Sequence, residues 1–302
     1  MDKEEEMILG NGSDQASLEY TLKYNPPMDH GVGERNLKEA KQILDGLGVV
    51  FLLGSGTCLG ATRDKAFIPW DDDIDLVAVV GVNGLTEGAA DIVAAAFRDR
   101  GYFVGATDGT HSRAVMTIKD HVRLGVECLR IIDDSVYAYP GVRLPATMLI
   151  RPKEIEFLGE KFFVPNPPEE YLRLKYGEEW MVPKKAGVYE KDVVGRIPDA
   201  DLAGRPCRIR VLDAQGRPVP GAEVVLVGGR RSNTDGQGYA EVILPGPDWY
   251  ALAIKYPGHE QVLYMEEMEP DKAYVYRADA ASNAASHAPG AVGTLGNVLL
   301  PE

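Results

Sequence analysis

The chain has 302 residues, 45% of them apolar and 26% charged, and a formal net charge of -14. That length is enough for two domains with separate hydrophobic cores, and the composition is that of a soluble globular protein. Affinity for DNA or RNA comes mainly from lysine and arginine at the phosphates, so we expect no nucleic acid as the main partner of so acidic a chain. A local basic patch could still hold a nucleotide.

Cysteine usage and the N-terminal sequence bear on the compartment. Cys58, Cys128 and Cys207 are far apart and form no Cys-x-x-Cys pair, which argues against a disulfide framework and a zinc site. We therefore expect a reducing compartment, the cytoplasm, with the inner membrane surface as a second location. The N-terminal "MDKEEEMILG" is unlike a signal peptide, and no run approaches the roughly 20 apolar residues of a membrane span. We expect no transmembrane segment, so membrane contact would be peripheral.

The first part of the chain alternates helix and strand patterns. Residues 1–30 are polar and lack sustained periodicity, so we expect a loosely ordered lead-in there. A first domain is predicted over residues 31–197. Its expected elements, from the spacing of apolar residues, are a helix over 34–48, a strand over 49–53, a glycine-rich turn leading into a helix over 54–65, a strand over 72–80 and a helix over 85–101.

Strand-like runs dominate the rest of this domain. They are "YFVGA", "RAVMTIK", "VRLGVECLRII" and "ATMLIR". A hairpin is expected in "IEFLGEKFFVP", with Gly159 in its turn. The run "NPPEEYLRLKYG" (166–177) predicts a short helix that begins near proline and ends at Gly177.

The sequence changes character near residue 200. Residues 198–205 are expected to be a linker. Over 206–279, short apolar runs alternate with turn signals such as "PVPGA", "TDGQG" and "PGPD", which is typical of an all-β sandwich. Residues 280–302 are rich in alanine, glycine and serine and predict a disordered tail.

An unusual acidic cluster lies in "FIPWDDDIDL" (67–76). Strand alternation would point Asp71, Asp73 and Asp75 to one face and Asp72 to the other. The apolar "LVAVV" that follows indicates a strand that enters a core. Because the like charges repel one another, we expect a cation among them, and hard oxygen ligands suit Mg²⁺ or Mn²⁺ together with phosphate oxygens. The alternative is a solvated acidic turn that caps a strand.

A glycine-rich turn precedes the acidic motif. Gly54, Ser55, Gly56 and Thr57 follow a strand and open a helix, where backbone N–H groups can bind an anion. The glycines would let phosphate approach the backbone, and the two hydroxyls could donate hydrogen bonds. A turn alone is weak support for such a site. Strand, Gly-Ser turn, helix and then a strand with Asp-x-Asp is a much rarer combination.

This combination resembles the nucleotidyltransferase superfamily typified by DNA polymerase beta. More narrowly, "GSGTCLGATRDKAFIPWDDDIDL" resembles the signature of the LicD family, with Cys58 in place of the usual leucine. A later block, "FFVPNPPEEYLRLKYGEEWMVP" (162–183), is similar to a second block of that family, so the resemblance covers about residues 34–185. It implies an α+β fold: a polymerase-beta-like nucleotidyltransferase domain with a mixed sheet and flanking helices, followed here by the C-terminal all-β sandwich.

The resemblance also implies a reaction. LicD-like and fukutin-like proteins transfer a phospho-alcohol, such as phosphocholine or ribitol phosphate, from a CDP-linked nucleotide donor to a hydroxyl of a glycan or glycolipid acceptor, and CMP leaves. By this resemblance Asp73 and Asp75 would hold the catalytic metal, and Asp71 would add a third ligand or orient the other two. Arg63 and Lys65 could contact donor phosphates, and ordinary surface charge is the alternative for both.

Two further residues have open roles. Superfamily members often take another carboxylate from a neighbouring strand, and Glu127 lies in the otherwise apolar "VRLGVECLRII". It could be a metal ligand or a base, although the family more often has aspartate there; an edge-strand glutamate facing water is the alternative. Trp70 could stack on the cytosine of the donor or anchor the start of the acidic strand.

The second domain resembles the carboxypeptidase regulatory-like domain, a transthyretin-like β-sandwich. The matching residues set turns and core positions and carry no chemistry: Asp213, Gly216, Pro218, Pro220, Gly221, Ala222, Thr234, Asp235, Gly238, Trp249, Tyr250 and Gly258. Such a domain could be a stabilising appendage, or a module that binds the acceptor glycan or a partner protein.

Two other functions stay open on the sequence alone. A nucleotidyltransferase would attach a nucleotide and release pyrophosphate. A non-catalytic protein would bind glycan or protein and keep only a vestigial transferase domain, although the intact Asp-x-Asp and Gly-Ser-Gly-Thr motifs argue against this.

Overall fold

The computed structural model describes residues 12–82, 84–86, 88–108, 112–185, 194–278 and 298–302. The chain divides into two compact units. The first comprises Met1–Tyr137 and Arg143–Pro183, and the second comprises Ala138–Val142 and Lys184–Glu302. The second unit thus begins before the linker that the sequence predicts at 198–205.

The first unit is built on a five-stranded mixed sheet with the order β1-β2-β5-β4-β3. Only the central β2–β5 pair is parallel; β1–β2, β3–β4 and β4–β5 are antiparallel. The strands are β1 (Leu52–Leu53), β2 (Asp73–Val79), β3 (Phe103–Asp108), β4 (Ser112–Lys119) and β5 (Val122–Leu129). The helices before and between them are α1 (Gln15–Tyr24), α2 (His30–Gly46), α3 (Ser55–Leu59), which continues as a π-helical turn over Gly60–Asp64, and α4 (Ala89–Asp99).

The core of this unit follows from the patterns in the sequence. In α2 the buried aliphatic positions Leu37, Ala40 and Leu44 recur at helical spacing. In β2 the residues from Leu76 to Val79 are all buried, as expected of a central strand that is covered on both faces. These elements confirm the predicted α+β fold with a mixed sheet and flanking helices. None of the helices in the described ranges is both long enough and apolar enough to cross a membrane.

Helix α1 forms where the sequence predicts a loosely ordered lead-in. Asp14 caps its first turn by accepting a hydrogen bond from the Ser17 N–H, and Asn25 ends it in the left-handed conformation. Leu18 is buried together with Ser17 and Thr21, so the helix is fixed by the core although two of these three residues are polar. Residues 1–11 lie outside the described part of the chain.

The rest of the first unit contains one error of prediction. The run "ATMLIR", expected to be a strand, contains the short helix α5 (Thr147–Ile150), which lies between the hairpin β6 (Ser135–Ala138) and β7 (Val142–Pro145) and the next hairpin. The carbonyl of Ala146 accepts hydrogen bonds from the Leu149 and Ile150 N–H groups, which closes a local turn.

The two later predictions in this unit are confirmed. The hairpin β8 (Lys153–Phe157) and β9 (Glu160–Val164) turns at Gly159, whose φ is 76°. Helix α6 (Pro168–Tyr176) has proline at its start and ends at Gly177.

The second unit contains two four-stranded sheets with the orders β13-β10-β16-β17 and β12-β11-β14-β15. Buried residues of both sheets form one hydrophobic core, as in a sandwich. The strands are β10 (Arg205–Leu212), β11 (Glu223–Leu226), β12 (Arg231–Asn233), β13 (Tyr239–Leu244), β14 (Asp248–Tyr256), β15 (His259–Met268), β16 (Ala273–Arg277) and β17 (Leu300–Pro301).

Strand β17 corrects part of the prediction for residues 280–302. It pairs antiparallel with β16, at the edge of the sheet. The rest of the predicted tail, residues 280–297, lies outside the described residues. A two-residue strand after a long stretch rich in alanine, glycine and serine has no local signal, since its position depends on contacts with the sheet.

Candidate functional site

The acidic motif lies where the backbone enters β2. Asp73 and Asp75 are the first and third residues of the strand, and their register partners on β5 are Arg123 and Gly125. Side chains of registered partners point to the same face of a sheet, so Asp73, Asp75 and Arg123 share a face. Ile74 on the other face is fully buried, which fixes the orientation of the strand.

Asp71 is a buried carboxylate that is not fully satisfied. Its residue is 7% exposed, and its Oδ2 has no hydrogen-bond partner among the described residues. One oxygen each of Asp71, Asp72 and Asp73 lie within 4.8 Å of one another. Burial raises the pKa of Asp71 well above its usual value, and the charges of Asp73, Asp75 and Asp72 raise it further. The cluster is thus short of positive charge.

Arg123 supplies part of that positive charge. Its Nη2 donates to Asp73 Oδ2 at 3.0 Å and also to Asp72 Oδ2, and its Nη1 donates to Asn25 Oδ1 at 3.3 Å. The Arg123 side chain is only 3% exposed. Burial and the charge of Asp73 raise the pKa of Asp72 to about 6, although the guanidinium of Arg123 opposes the shift.

The position of Asp72 corrects the alternation that the sequence predicts. Asp72 was expected to face away from Asp73, yet both bind the same guanidinium. The reason is that β2 begins only at Asp73, so Asp72 lies in the preceding loop and is not subject to strand alternation.

Asp75 is held by the glycine-rich turn. Its Oδ2 accepts a hydrogen bond from the Gly56 N–H at 3.0 Å, and its own N–H donates to Thr57 Oγ1 at 2.9 Å. Its carbonyl accepts from the Gly54 N–H at 2.9 Å. Burial and the charge of Asp73 raise the pKa of Asp75 to about 7, against the opposing effects of Lys175 and the Gly56 N–H.

The two glycines of the turn are explained by close packing. A Cβ on Gly56 would lie 2.8 Å from Asp71 Oδ2, and a Cβ on Gly54 would lie 2.6 Å from Val77 Cγ2. The turn therefore fits directly against the acidic residues. The predicted phosphate-binding role of Gly54, Ser55, Gly56 and Thr57 stays a prediction, since their described contacts are with the protein itself.

Helix α6 contributes two residues that the sequence reasoning missed. Tyr171 Oη accepts a hydrogen bond from the Ser55 N–H at 3.0 Å, and Lys175 Nζ donates to Ser55 Oγ at 2.5 Å. Both side chains are buried, together with Leu172 and Tyr176 on the same face of the helix. A lysine on the apolar face of a predicted helix was the available signal.

The basic residues beside the motif are engaged in local contacts. The Arg63 guanidinium donates to the Asp64 carboxylate at 2.7 Å and to the Trp180 carbonyl at 3.3 Å. Lys65 is exposed, and its Nζ donates to the Thr62 carbonyl at 3.1 Å. Trp70 is half-buried. The roles predicted for Arg63, Lys65 and Trp70 toward the donor stay predictions.

Glu127 lies on the same face of the sheet as the acidic residues. It is half-buried, and its register partner on β2 is Val77, two residues beyond Asp75. Burial raises the pKa of Tyr171 well above its usual value, and the nearby charges of Cys58, Asp75 and Glu127 add to this. The compact carboxylate group in the described residues is Asp71, Asp72 and Asp73, so Glu127 shares the face of these acids without being part of that group.

Comparison with known proteins covers this region of the chain. The chain is similar to the ribitol-5-phosphate transferase FKTN of Homo sapiens and of Macaca fascicularis, each 30% identical over 167 residues, which is 49% of this chain and 33% of the relative. It is also similar to the lipopolysaccharide cholinephosphotransferase LicD of Haemophilus influenzae, 61% identical over 28 residues, which is 9% of this chain and 11% of the relative. The chain thus spans a third or less of the length of these relatives.

A protein-family model also matches this part of the chain. Residues 48–167 match the family described as LicD/FKTN/FKRP, nucleotidyltransferase domain. This stretch contains the glycine-rich turn, the acidic motif and Glu127. Residues 48–167 therefore form a LicD-family domain, as the motif predicted.

Proposed function

We propose that the protein is a metal-dependent phosphotransferase, which moves a phospho-alcohol from a CDP-activated donor to a hydroxyl of a glycan or glycolipid. The observation that carries the proposal is the group of carboxylates around Asp71, a buried acid with an unsatisfied oxygen, within a LicD-family domain. Structural acids are normally hydrogen-bonded when they are buried, so an open one indicates a missing ligand.

The residues present fit a divalent cation. Carboxylate oxygens are the ligands that Mg²⁺ and Mn²⁺ prefer, and Asp71 Oδ2 has no competing hydrogen bond among the described residues. Asp71 and Asp73 would hold the cation, and Asp75 would add an oxygen, since only its Oδ2 is engaged by Gly56. Asp72 and Asp73 are both paired with Arg123, and Asp72 is the weaker candidate because it lies in the loop before β2. Glu127 is kept as a further ligand or base.

The protein's own groups define the chemistry of the site. When bound, the cation would neutralise charge on the donor phosphates. Gly56 and Thr57 fix Asp75, so that its second oxygen stays available to the cation, and Glu127 is the carboxylate that could orient the acceptor hydroxyl or take its proton. Arg123 holds Asp72 and Asp73 in a fixed arrangement, so the acids are positioned before substrate arrives.

The relatives bear on the transferred group. Both named activities, ribitol-5-phosphate transfer and cholinephosphate transfer, move a phosphorylated alcohol. They support a phospho-alcohol as the transferred group, and the CDP-linked donor is part of the proposal. The similarity covers the domain at 48–167 and leaves the choice of alcohol and acceptor to experiment.

Calorimetric titration tests this function. The ligands are CDP-choline, CDP-ribitol, CDP-glycerol, CTP and UTP, each with and without Mg²⁺ or Mn²⁺. We expect one CDP-alcohol to bind in a metal-dependent manner. The double variant Asp73→Asn, Asp75→Asn should lose that binding by at least about 100-fold, because it removes two charged oxygen ligands.

The same titration separates the alternatives. Preference for a triphosphate, with pyrophosphate as the product, would favour a nucleotidyltransferase. Absence of nucleotide binding with every metal would overturn the enzymatic proposal and favour a glycan- or protein-binding function. Circular dichroism of the double variant is the control, since removing like charges should leave its fold intact.

A further inference from the structure

Ser55 is held in an unusual backbone conformation by side chains of a distant helix. Its φ is 33°, in the left-handed region that residues with a Cβ adopt at a cost. Its N–H donates to Tyr171 Oη, and its Oγ accepts from Lys175 Nζ. Tyr171 and Lys175 are four residues apart on α6 and thus lie on one face of the helix. Two contacts from one rigid element therefore fix both the backbone and the hydroxyl of Ser55.

Burying the charged side chain of Lys175 beside Ser55 costs free energy. Lys175 is 6% exposed, and a buried ammonium is stable only when it is hydrogen-bonded and close to negative charge. Its charge acts on Asp75, whose pKa it lowers. The lysine is therefore a second positive charge near the acidic group, and its contacts differ from those of Arg123. Arg123 binds Asp72 and Asp73 directly, whereas Lys175 contacts a serine hydroxyl.

The direction of that hydrogen bond has a consequence for the serine. An ammonium has only donors, so Ser55 Oγ must be the acceptor, and the Ser55 hydroxyl proton is free to be donated to another group. By contrast, the N–H groups of Gly54, Ser55 and Gly56 already donate to Asp75 or Tyr171. The half-buried Ser55 therefore keeps a hydroxyl donor for a ligand, with the Lys175 ammonium at its acceptor oxygen. The Thr57 hydroxyl also accepts a hydrogen bond, from Asp75, but Thr57 is fully buried.

We propose that Lys175 is a positioning residue that acts through Ser55. Its ammonium orients the Ser55 hydroxyl to bind the phosphate oxygens of the donor, beside the cation held by the acids. The inference rests on the proposed function for the identity of the donor. The pair itself would bind any metal-bound pyrophosphate. A buried ammonium that contacts a serine next to an acidic group would strengthen anion binding and weaken cation binding through its charge.

This charge argument gives two effects of opposite sign. Replacing Lys175 by a neutral residue should tighten the binding of Mn²⁺ alone, by a few-fold, because a repelling charge is removed. The same change should weaken binding of inorganic pyrophosphate in the presence of Mn²⁺ by about tenfold or more, since a charge-assisted contact is lost. A lysine that merely supported the fold would change both affinities in the same direction.

The experiment uses the full chain with Lys175→Met, Lys175→Arg, Ser55→Ala and the double change Ser55→Ala, Lys175→Met. Isothermal titration measures affinity for Mn²⁺ alone, for inorganic pyrophosphate with Mn²⁺, and for CDP-ribitol with Mn²⁺. The matched control is Lys119→Met, a half-buried lysine of the same unit that donates to Glu39 and to the Arg100 carbonyl. It should cost stability and leave all three affinities unchanged.

We expect Lys175→Arg to retain more pyrophosphate affinity than Lys175→Met, because it keeps the charge. The double variant should lose less than the product of the two single losses, because the residues act as one unit. Equal weakening of Mn²⁺ and pyrophosphate by Lys175→Met would overturn the inference, as would absence of pyrophosphate binding by the unaltered protein. Binding of pyrophosphate without any CDP-alcohol would support the inference and overturn the proposed function.

Discussion

Two buried carboxylates, one in each unit, are treated in opposite ways by the fold. Glu266 of the second unit is 2% exposed, and its oxygens accept hydrogen bonds from the N–H groups of Val298 at 3.3 Å and Leu299 at 3.0 Å. Asp71 of the first unit is 7% exposed, yet among the described residues one of its oxygens has no hydrogen-bond partner, and three aspartates lie nearby. Glu266 joins two chain segments, whereas in the proposed function Asp71 binds a ligand that is not part of the chain.

The arginines of the two units differ in the same way. In the second unit, ion pairs such as Arg217–Asp213 and Arg205–Asp271 are largely at the surface and pair one cation with one acid. In the first unit Arg123 is buried and shared between Asp72 and Asp73. Among the described residues, crowded acids occur only in the first unit. A destabilising arrangement that is present in one unit and absent from the described residues of the other agrees with the site proposed for the first unit.

The largest expected effect comes from removing Arg123. The change Arg123→Met should lower the free energy of unfolding of the first unit by about 3 kcal/mol, because it leaves Asp72 and Asp73 without their buried counter-charge. Excess Mg²⁺ should recover part of the loss, since the cation replaces the missing charge. Urea denaturation with and without Mg²⁺ measures both quantities.

The control for Arg123 is Arg113→Met on the neighbouring strand β4. Arg113 pairs with Asp91, whose side chain is 72% exposed, so the loss should be below about 1 kcal/mol and independent of Mg²⁺. Equal losses for the two variants, or a loss at Arg123 that Mg²⁺ does not change, would contradict the view that Arg123 balances a cation site.

A smaller effect is expected from pH. The folded-state pKa values of Asp75, about 7, and Asp72, about 6, are raised above that of an unfolded aspartate. At any pH between the unfolded and the folded pKa values, the folded protein therefore binds more protons than the unfolded chain. Stability without metal is therefore greatest below about pH 4 as far as these groups are concerned, and decreases as pH rises towards 7.

Saturating Mg²⁺ should flatten or reverse this pH dependence, because a cation stabilises the ionised acids. Thermal unfolding between pH 4 and 8, with and without Mg²⁺, measures the difference. If the metal-free protein became more stable as pH rose through 6 to 7, relative to the Asp75→Asn variant, the acids would not be destabilising one another.

Much of the first unit could be predicted from its sequence because its elements are locally encoded. Apolar spacing located α2 and α4, and glycine and proline located the β8–β9 hairpin and α6. The failures, α1, α5 and β17, are short or weakly apolar, so tertiary contacts decide them. Helix α1 depends on Leu18 reaching the core, and β17 depends on an edge of a sheet formed far away in the chain.

The candidate site could be predicted only in part. The acids were recognisable from the motif at 67–76, because their identity and spacing are local. Their partners were not, since Arg123 lies 51 residues from Asp72, and Lys175 lies 120 residues from Ser55. Such pairs require the register of β2 on β5 and the docking of α6, which no local pattern specifies. The prediction for the Asp72 side chain was wrong for a related reason. Side chains alternate between the two faces only within the paired part of β2, and the sequence does not show at which residue the pairing begins.

The smallest expected effect compares the two buried carboxylates directly through the same change, acid to amide. Glu266→Gln keeps one acceptor and places an amide donor against the N–H of Val298 or Leu299. Two facing donors should cost about 1 to 2 kcal/mol. Hydrogen exchange at residues 298–302 should therefore become about tenfold faster, with no dependence on Mg²⁺.

Asp71→Asn should raise stability where Glu266→Gln lowers it, and unlike Glu266→Gln it should change the response to Mg²⁺. Neutralising Asp71 removes repulsion from Asp73 and Asp75, so the first unit should become more stable without metal, while its stabilisation by Mg²⁺ should be lost. Matched denaturation curves of the two variants test the contrast. A destabilised Asp71→Asn with an intact Mg²⁺ response would show that Asp71, like Glu266, serves only to hold the fold together.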